Sequence, residues 1–142
     1  MFFGTYTPKL DEKGRLFLPA KFRDQLTEGL VVTRGQDRCL NVWSMEEFGR
    51  LTERLQRAPI TNKGARDYIR MLFAVASQET PDKQGRINIP APLRTYASLN
   101  KEVKVIGAMN RVEIWDPTAW EEYTAEEEQK FSEISEEVFF GN

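Results

Sequence analysis

Apolar and polar positions alternate over two short stretches of this chain. Leu16 and Leu18 point one way while Arg15 and Phe17 point the other; Ile87 and Ile89 repeat the alternation against Arg86 and Asn88. A period of two over so few residues predicts strands. Longer β-rich runs follow at Leu30-Val31-Val32-Thr33, Cys39-Leu40-Asn41-Val42-Trp43, Val103-Lys104-Val105-Ile106 and Val112-Glu113-Ile114-Trp115. Gly35-Gln36-Asp37-Arg38 forms the turn between the first pair, and Gly107 opens the turn between the second. Phe2 to Thr7 is expected to be the strand leading into the first tight turn.

Helical spacing occurs elsewhere. Phe22 and Leu26 lie four apart behind Pro19, and Pro19 and Pro90 are each placed at the first position of a short helix. Ser44 and Glu47 form a capping box ahead of Phe48, Leu51 and Leu55, a helix that Ala58-Pro59 ends. Asn62 caps a helix with Ala65, Tyr68, Ile69, Leu72, Phe73 and Ala76 on one side and Arg66, Asp67 and Arg70 on the other, expected to bridge two halves by packing its apolar stripe on the body. Asp116-Pro117 starts a further helix in which Trp120 takes the place of Phe48. Thr124 is expected to cap a last, acidic helix. There Phe131, Ile134 and Val138 mark a thin stripe among Glu126, Glu127, Glu128, Glu133, Glu136 and Glu137. Such a helix is either solvated and loosely docked or packed on another subunit, and the second is favoured.

Most of this pattern occurs twice. Residues 11–23 return as residues 82–94, with Asp11/Asp82, Gly14/Gly85, Arg15/Arg86, Pro19/Pro90, Ala20/Ala91 and Arg23/Arg94 identical and Leu16/Ile87, Leu18/Ile89 and Phe22/Leu93 apolar in both. A long period occurring only twice is an internal duplication, not a solenoid. Asp at the first position of a turn and Gly at the fourth suits a three-residue hairpin with a bulge. Each unit therefore reads strand, tight turn, strand, short helix. Val42-Trp43 and Ile114-Trp115 extend the correspondence over nearly the whole chain.

The chain has 142 residues, 40% of them apolar and 30% charged, as in soluble globular proteins. That length suffices for one core, whereas halves of about 70 residues alone would be marginal, so the copies are expected to pack on each other. No apolar run approaches the ~20 residues that span a bilayer, and the N-terminal residues carry no secretory signal pattern. One cysteine, Cys39, excludes an intramolecular disulfide and fits a reducing cytoplasm, with Cys39 as a small core residue. The net charge of −2 hides an asymmetry: residues 1–112 hold 19 Lys/Arg against 12 Asp/Glu, and residues 113–142 hold one Lys against ten acids. A basic body can attract a polyanion while the acidic tail is held elsewhere.

Much chemistry is excluded. Without histidine there is no imidazole base, His triad or His metal site. One cysteine cannot build a thiolate zinc site. Gly14 and Gly85 stand alone, so no phosphate-cradling glycine loop is present. Asp11 and Asp82 are explained as turn formers bonding their own backbone. No enzyme, metal or cofactor is expected. The arginine after each turn glycine is the candidate functional group. Its alternative is a solvated Arg paired with the Asp four residues before it.

An Asp-x-x-Gly-Arg turn, an apolar alternation, then Pro-Ala and a short helix with Arg resembles the AbrB-like swapped-hairpin DNA-binding family. Two ordered copies, the paired Val/Ile-Trp strands and the starting Met-Phe-x-Gly are similar to the MraZ branch of bacterial transcriptional regulators. The resemblance implies an α+β, mainly β fold. In it two tandem swapped-hairpin half-barrels form an intramolecular pseudo-twofold double-split β-barrel with flanking helices. It divides the chain into repeat one (1–60), a bridging helix (61–76), repeat two (77–123) and an acidic C-terminal helix (124–142). It further implies a ring of subunits, nucleoid association, and binding of double-stranded DNA at short direct repeats upstream of the division and cell-wall gene cluster. The family's signature falls on Asp11 and Arg15 and on Asp82 and Arg86. Arg15 is expected to read a base edge or clamp a phosphate, with Lys9, Lys13, Lys21, Arg23, Lys83, Arg86 and Arg94 contacting phosphates. Gln84 and Asn88 replace Lys13 and Phe17 in copy two, which makes copy one the stronger expected contact. An oligomeric scaffold whose turn tips bind an acidic protein is the alternative.

Overall fold

The computed structural model describes residues 1–134. Its strands are β1 (Thr5–Tyr6), β2 (Arg15–Phe17), β3 (Leu30–Arg34), β4 (Leu40–Ser44), β5 (Ser77–Glu79), β6 (Arg86–Asn88), β7 (Lys104–Gly107) and β8 (Val112–Trp115). Its helices are α1 (Ala20–Arg23), α2 (Met45–Gln56), α3 (Lys63–Phe73), α4 (Ala91–Tyr96) and α5 (Pro117–Phe131), with a single 3₁₀ turn at Gln36–Arg38. The fold class is α+β: one six-stranded antiparallel sheet, a two-stranded ribbon, and helices on their flanks.

The sheet order is β1-β7-β8-β4-β3-β5, and the ribbon is β2-β6. Exchanging each strand for its counterpart in the other copy reverses the sheet order and leaves it unchanged. The registers obey the same exchange. Leu16 pairs with Ile87, its own equivalent, and the flanking pairs are Arg15 with Asn88 and Phe17 with Arg86. At the centre of the sheet Asn41 pairs with its equivalent Glu113, flanked by Leu40 with Ile114 and Val42 with Val112. Self-equivalent pairs at two separate places are what an internal twofold relation requires. Strands leading into the turns are traded. β1 pairs with β7 of the second copy, and β5 pairs with β3 of the first.

This trading corrects one expectation. Turn chemistry predicts that each strand entering a turn pairs with the strand leaving it. In the first copy only the bridge Leu10–Leu16 does so. Beyond that bridge both strands seek the other copy, because Leu16, Leu18, Ile87 and Ile89 bury almost completely in one shared core with Phe22, Leu26, Leu93, Val32, Val42 and Ile114. Deep burial of that many branched side chains, each worth ~1.5–3 kcal/mol, outweighs local hairpin pairing. The expected packing of the two copies on each other is therefore found.

Other boundaries also shift. The strand expected over Phe2–Thr7 is reduced to β1, since Gly4 turns the chain with φ +94°, and Phe2 bridges Met109 instead. Pro19 and Pro90 are the capping residues ahead of α1 and α4, not their first helical residues; Pro92 lies within the first turn of α4. Cys39 is buried but precedes β4, its Sγ donating to the Gln36 carbonyl at 3.2 Å. Ser44, Asn62 and Asp116 cap α2, α3 and α5 as expected, accepting from the amides of Glu47, Ala65 and Ala119 at 3.1, 3.0 and 3.0 Å. On α3 only Leu72 is buried, joining Trp43 and Leu51, while Tyr68 and Phe73 stay exposed. Thr124 caps nothing: it lies inside α5, its hydroxyl bonded back to the Trp120 carbonyl at 3.0 Å. Asp116-Pro117 supplies the stronger start, and no breaker follows it before Phe131. On the expected acidic stripe, Phe131 and Ile134 are exposed, and Val138, Glu136 and Glu137 lie outside the described residues.

Candidate nucleic-acid interface

The turn residues build the site from the backbone outward. Asp11 accepts three bonds: its Oδ1 takes the amides of Lys13 and Arg15 at 2.9 Å each, and its Oδ2 takes Arg15 Nε at 2.7 Å. The backbone closes the loop, Asp11 N to Arg15 O at 2.9 Å and Gly14 N to Asp11 O at 3.0 Å. Asp82 repeats every contact, with Gln84 and Arg86 amides at 2.9 Å and Arg86 Nε at 2.8 Å. Both carboxyls are held below the ordinary carboxylate range, first by the backbone amides of Arg15 and Arg86 and then by those guanidinium groups. Gly14 (φ +79°) and Gly85 (φ +80°) supply the left-handed residue that closes the turn.

These turns therefore aim their arginines. Each Nε is tied to its own aspartate, and among the described residues no protein acceptor lies on Nη1 or Nη2 of Arg15 or Arg86. The outer edge of both planar forks therefore carries donors without a hydrogen-bond partner among the described residues. The pairing with the aspartate, one of the two alternatives raised for this arginine, is present in both copies. The side chains are less exposed than a projecting tip would make them, 33% for Arg15 and 20% for Arg86.

The ribbon brings the two forks onto one surface. Residues opposite each other in an antiparallel pair share a face, so Arg15, Asn88, Phe17 and Arg86 lie together above the buried Leu16–Ile87 pair. Arg86 lies over the Phe17 ring, 5.8 Å from its centroid. Phe17, 44% exposed, and Asn88, not among the candidate contact residues named from the sequence, lie on this face as well. The alternation that puts Phe17 on the Arg15 side was the available signal.

Lys9, Lys13, Lys21 and Lys83 are exposed, free to turn toward a ligand. Arg23 and Arg94 have structural engagements. Arg23 Nε donates to the Leu18 carbonyl at 3.1 Å, and Arg94 Nη1 to that of Ile89 at 2.6 Å. Each also lies over the turn glycine of the other copy, Arg94 over Gly14 and Arg23 over Gly85. Leu18 N to Gly85 O (2.9 Å) and Ile89 N to Gly14 O (2.8 Å) complete the cross-links. Arg23 and Arg94 thus each brace the turn of the other copy.

No group of three or more metal-ligating side chains lies together among the described residues. No described helix is long and apolar enough to cross a membrane.

Comparison with known proteins agrees with this duplicated architecture. A family model described as "MraZ protein, putative antitoxin-like" matches the chain twice, over residues 1–71 and 72–140. Relatives called transcriptional regulator MraZ include one from Nocardioides sp., 62% identical over 136 residues, which covers 96% of this chain and 94% of the relative. Those from Micrococcus luteus and Thermobifida fusca are each 59% identical over 141 residues, 99% of both chains. A match over both halves and nearly full-length identity of this order settle the grouping: the chain belongs to the MraZ family.

Proposed function

We propose that this protein is a sequence-specific DNA-binding transcriptional regulator that grips short direct repeats through the Arg15/Arg86 face of its β2–β6 ribbon. The observation that supports the reading is the pair of guanidinium groups on one face of the ribbon, each anchored at Nε by its own turn aspartate. Anchoring fixes the plane of each fork before binding, so less side-chain freedom is lost when it docks. A fork so held matches the O6/N7 edge of guanine, worth roughly 1–3 kcal/mol of discrimination. Lys9, Lys13, Lys21 and Lys83 add contacts to phosphates, which set affinity and register without reading sequence. The relatives' name, transcriptional regulator, supports the same reading.

Two forks give a single chain modest affinity. A ring of subunits that offers several ribbons to tandem boxes gains by effective concentration, provided its geometry lets them engage together. In this reading the two halves are AbrB-like swapped-hairpin repeats joined by α3. The boxes are those upstream of the division and cell-wall gene cluster, and the protein works in the cytoplasm on the nucleoid. The test is a gel-shift series with DNA carrying one, two and three repeats, set beside the oligomer mass. Retention is expected to rise steeply with repeat number and to yield to specific, not scrambled, competitor. Equal competition by both DNAs would overturn the reading in favour of an electrostatic scaffold for acidic proteins.

A further inference from the structure

The β2–β6 ribbon is twofold in its backbone and not in its side chains. Exchange of the two copies carries Arg15 onto Arg86, Leu16 onto Ile87 and Phe17 onto Asn88. The first two exchanges change little chemically. The third swaps an apolar ring for an amide. Phe17 is 44% exposed, Asn88 is exposed as well, and both stand on the face that carries the arginines. The mismatch reaches the forks. Arg86 stands opposite Phe17 and lies over its ring, 5.8 Å from the centroid. Arg15 stands opposite Asn88, and its side chain is 33% exposed against 20% for Arg86.

A symmetric reader and a direct repeat do not go together. A ribbon of exact twofold symmetry matches best a box that is its own reverse complement, because the symmetry of a site mirrors that of the protein on it. Such a box has no direction, so direct and inverted repeats of it are the same DNA. Reading a directed box needs unlike groups at equivalent places of the reading face. Residues 17 and 88 are the one chemically unlike pair within the two ribbon strands.

Resting on the DNA-binding reading above, we infer that Phe17 and Asn88 are specificity-determining residues that give the box its direction. A two-stranded ribbon fits the major groove. There the Asn88 amide donates to N7 and accepts from N6 of an adenine, while the Phe17 ring packs against the methyl group of a thymine. Arg15 and Arg86, which the exchange leaves alike, read the symmetric part of the box. Direction thus comes from one pair of positions, and the duplicated turns supply the rest.

Selection from a random-sequence duplex library tests this with the full-length chain, as wild type, Phe17→Asn and Asn88→Phe. Both positions are exposed, and a thermal melt confirms that each variant folds. Each substitution makes the two strands alike, amide with amide or ring with ring. Sequencing of the enriched sites is expected to show a wild-type box that differs from its reverse complement. Phe17→Asn is expected to enrich a self-complementary box with adenine at both equivalent positions, and Asn88→Phe one with thymine at both. In a gel shift, replacing the adenine of the wild-type box should weaken wild-type binding about tenfold and leave binding by Asn88→Ala unchanged. A self-complementary wild-type box, or the wild-type box recovered by both variants, overturns the inference and leaves the DNA-binding reading standing. So does a folded variant that enriches no box, since its residue then holds the forks and reads no base. A wild type that enriches no box overturns the DNA-binding reading itself.

Discussion

Nη1 of Arg94 occupies the place a Cβ on Gly14 would take, 1.7 Å from it, and Arg23 crowds Gly85 in the same way at 2.7 Å. The contact joins opposite copies, so each turn is shaped by the other half of the chain. A side chain at Gly14 would meet both a left-handed backbone, costing about 1–2 kcal/mol, and a guanidinium that must abandon the Ile89 carbonyl.

Gly14→Ala is therefore expected to destabilise by about 2 kcal/mol or more, a fall in Tm of roughly 4–8 °C for a chain of this size. Gly49 is the control: it sits inside α2 with nothing within 4 Å of an added Cβ. Gly49→Ala should raise stability by up to ~1 kcal/mol. Equal melting points for the two variants would remove the cross-copy brace from the account.

Asp11 and Asp82 make a pH prediction. Their carboxyls are held below the ordinary value of 3.8 by the amides and guanidinium groups of Arg15 and Arg86. A depressed native pKa contributes stability that is complete above the unfolded value and is lost as pH falls through the native one. Acid unfolding of wild type should thus steepen below about pH 4, and an Asp11→Asn, Asp82→Asn double variant should be flatter there. Parallel curves would show that the turn carboxylates are not linked to folding.

How far the sequence carried is clearest at these same turns. Asp, Gly and Arg at fixed spacing were enough to place the loop, the strand behind it and the buried side of that strand, because each depends on neighbours within five residues. The partner of that strand was not legible. Leu16 pairs with Ile87 across 71 residues, and turn chemistry says nothing about which edge a two-sided strand will choose. Arg23 and Arg94 mislead for the same reason: their acceptors at Leu18 and Ile89 are local, but the glycines they cover belong to the other copy. Thr124 resembles a cap only while α5 is assumed to have stopped before it. Phe17 was visible on the Arg15 side of the alternation, yet nothing local announced that Arg86 would lie over it.

Cys39 should be inert. Burial, then the nearby charges of Glu113 and Asp37, push its thiol up to about 12. The thiolate is the reactive form, so a thiol reagent at neutral pH should label the native protein slowly and the urea-unfolded protein fast. A native thiol pKa above the unfolded value also lowers stability as pH rises from about 9 toward 12. Rapid stoichiometric labelling of native protein would contradict the packing of Cys39 against Ile106 and Trp115.

Thr33 is the one fully buried polar side chain among the described residues, and its hydroxyl accepts from Trp43 Nε1 at 3.0 Å. Thr33→Val keeps the shape and leaves the indole donor unpaired. The expected cost is about 1–3 kcal/mol, measured by urea denaturation with an unchanged slope. A neutral substitution would mean that Trp43 finds another acceptor.

The account turns on the two anchored forks, and a quantitative gel shift on tandem-repeat DNA with Arg15→Ala and Arg15→Lys tests them most directly. Arg15→Ala is expected to lose retention while keeping a cooperative melt and the wild-type oligomer mass. Arg15→Lys keeps the charge without the fork, so it should bind specific and scrambled DNA alike, weakly and with strong salt dependence. Wild-type affinity and selectivity in both variants would contradict the account.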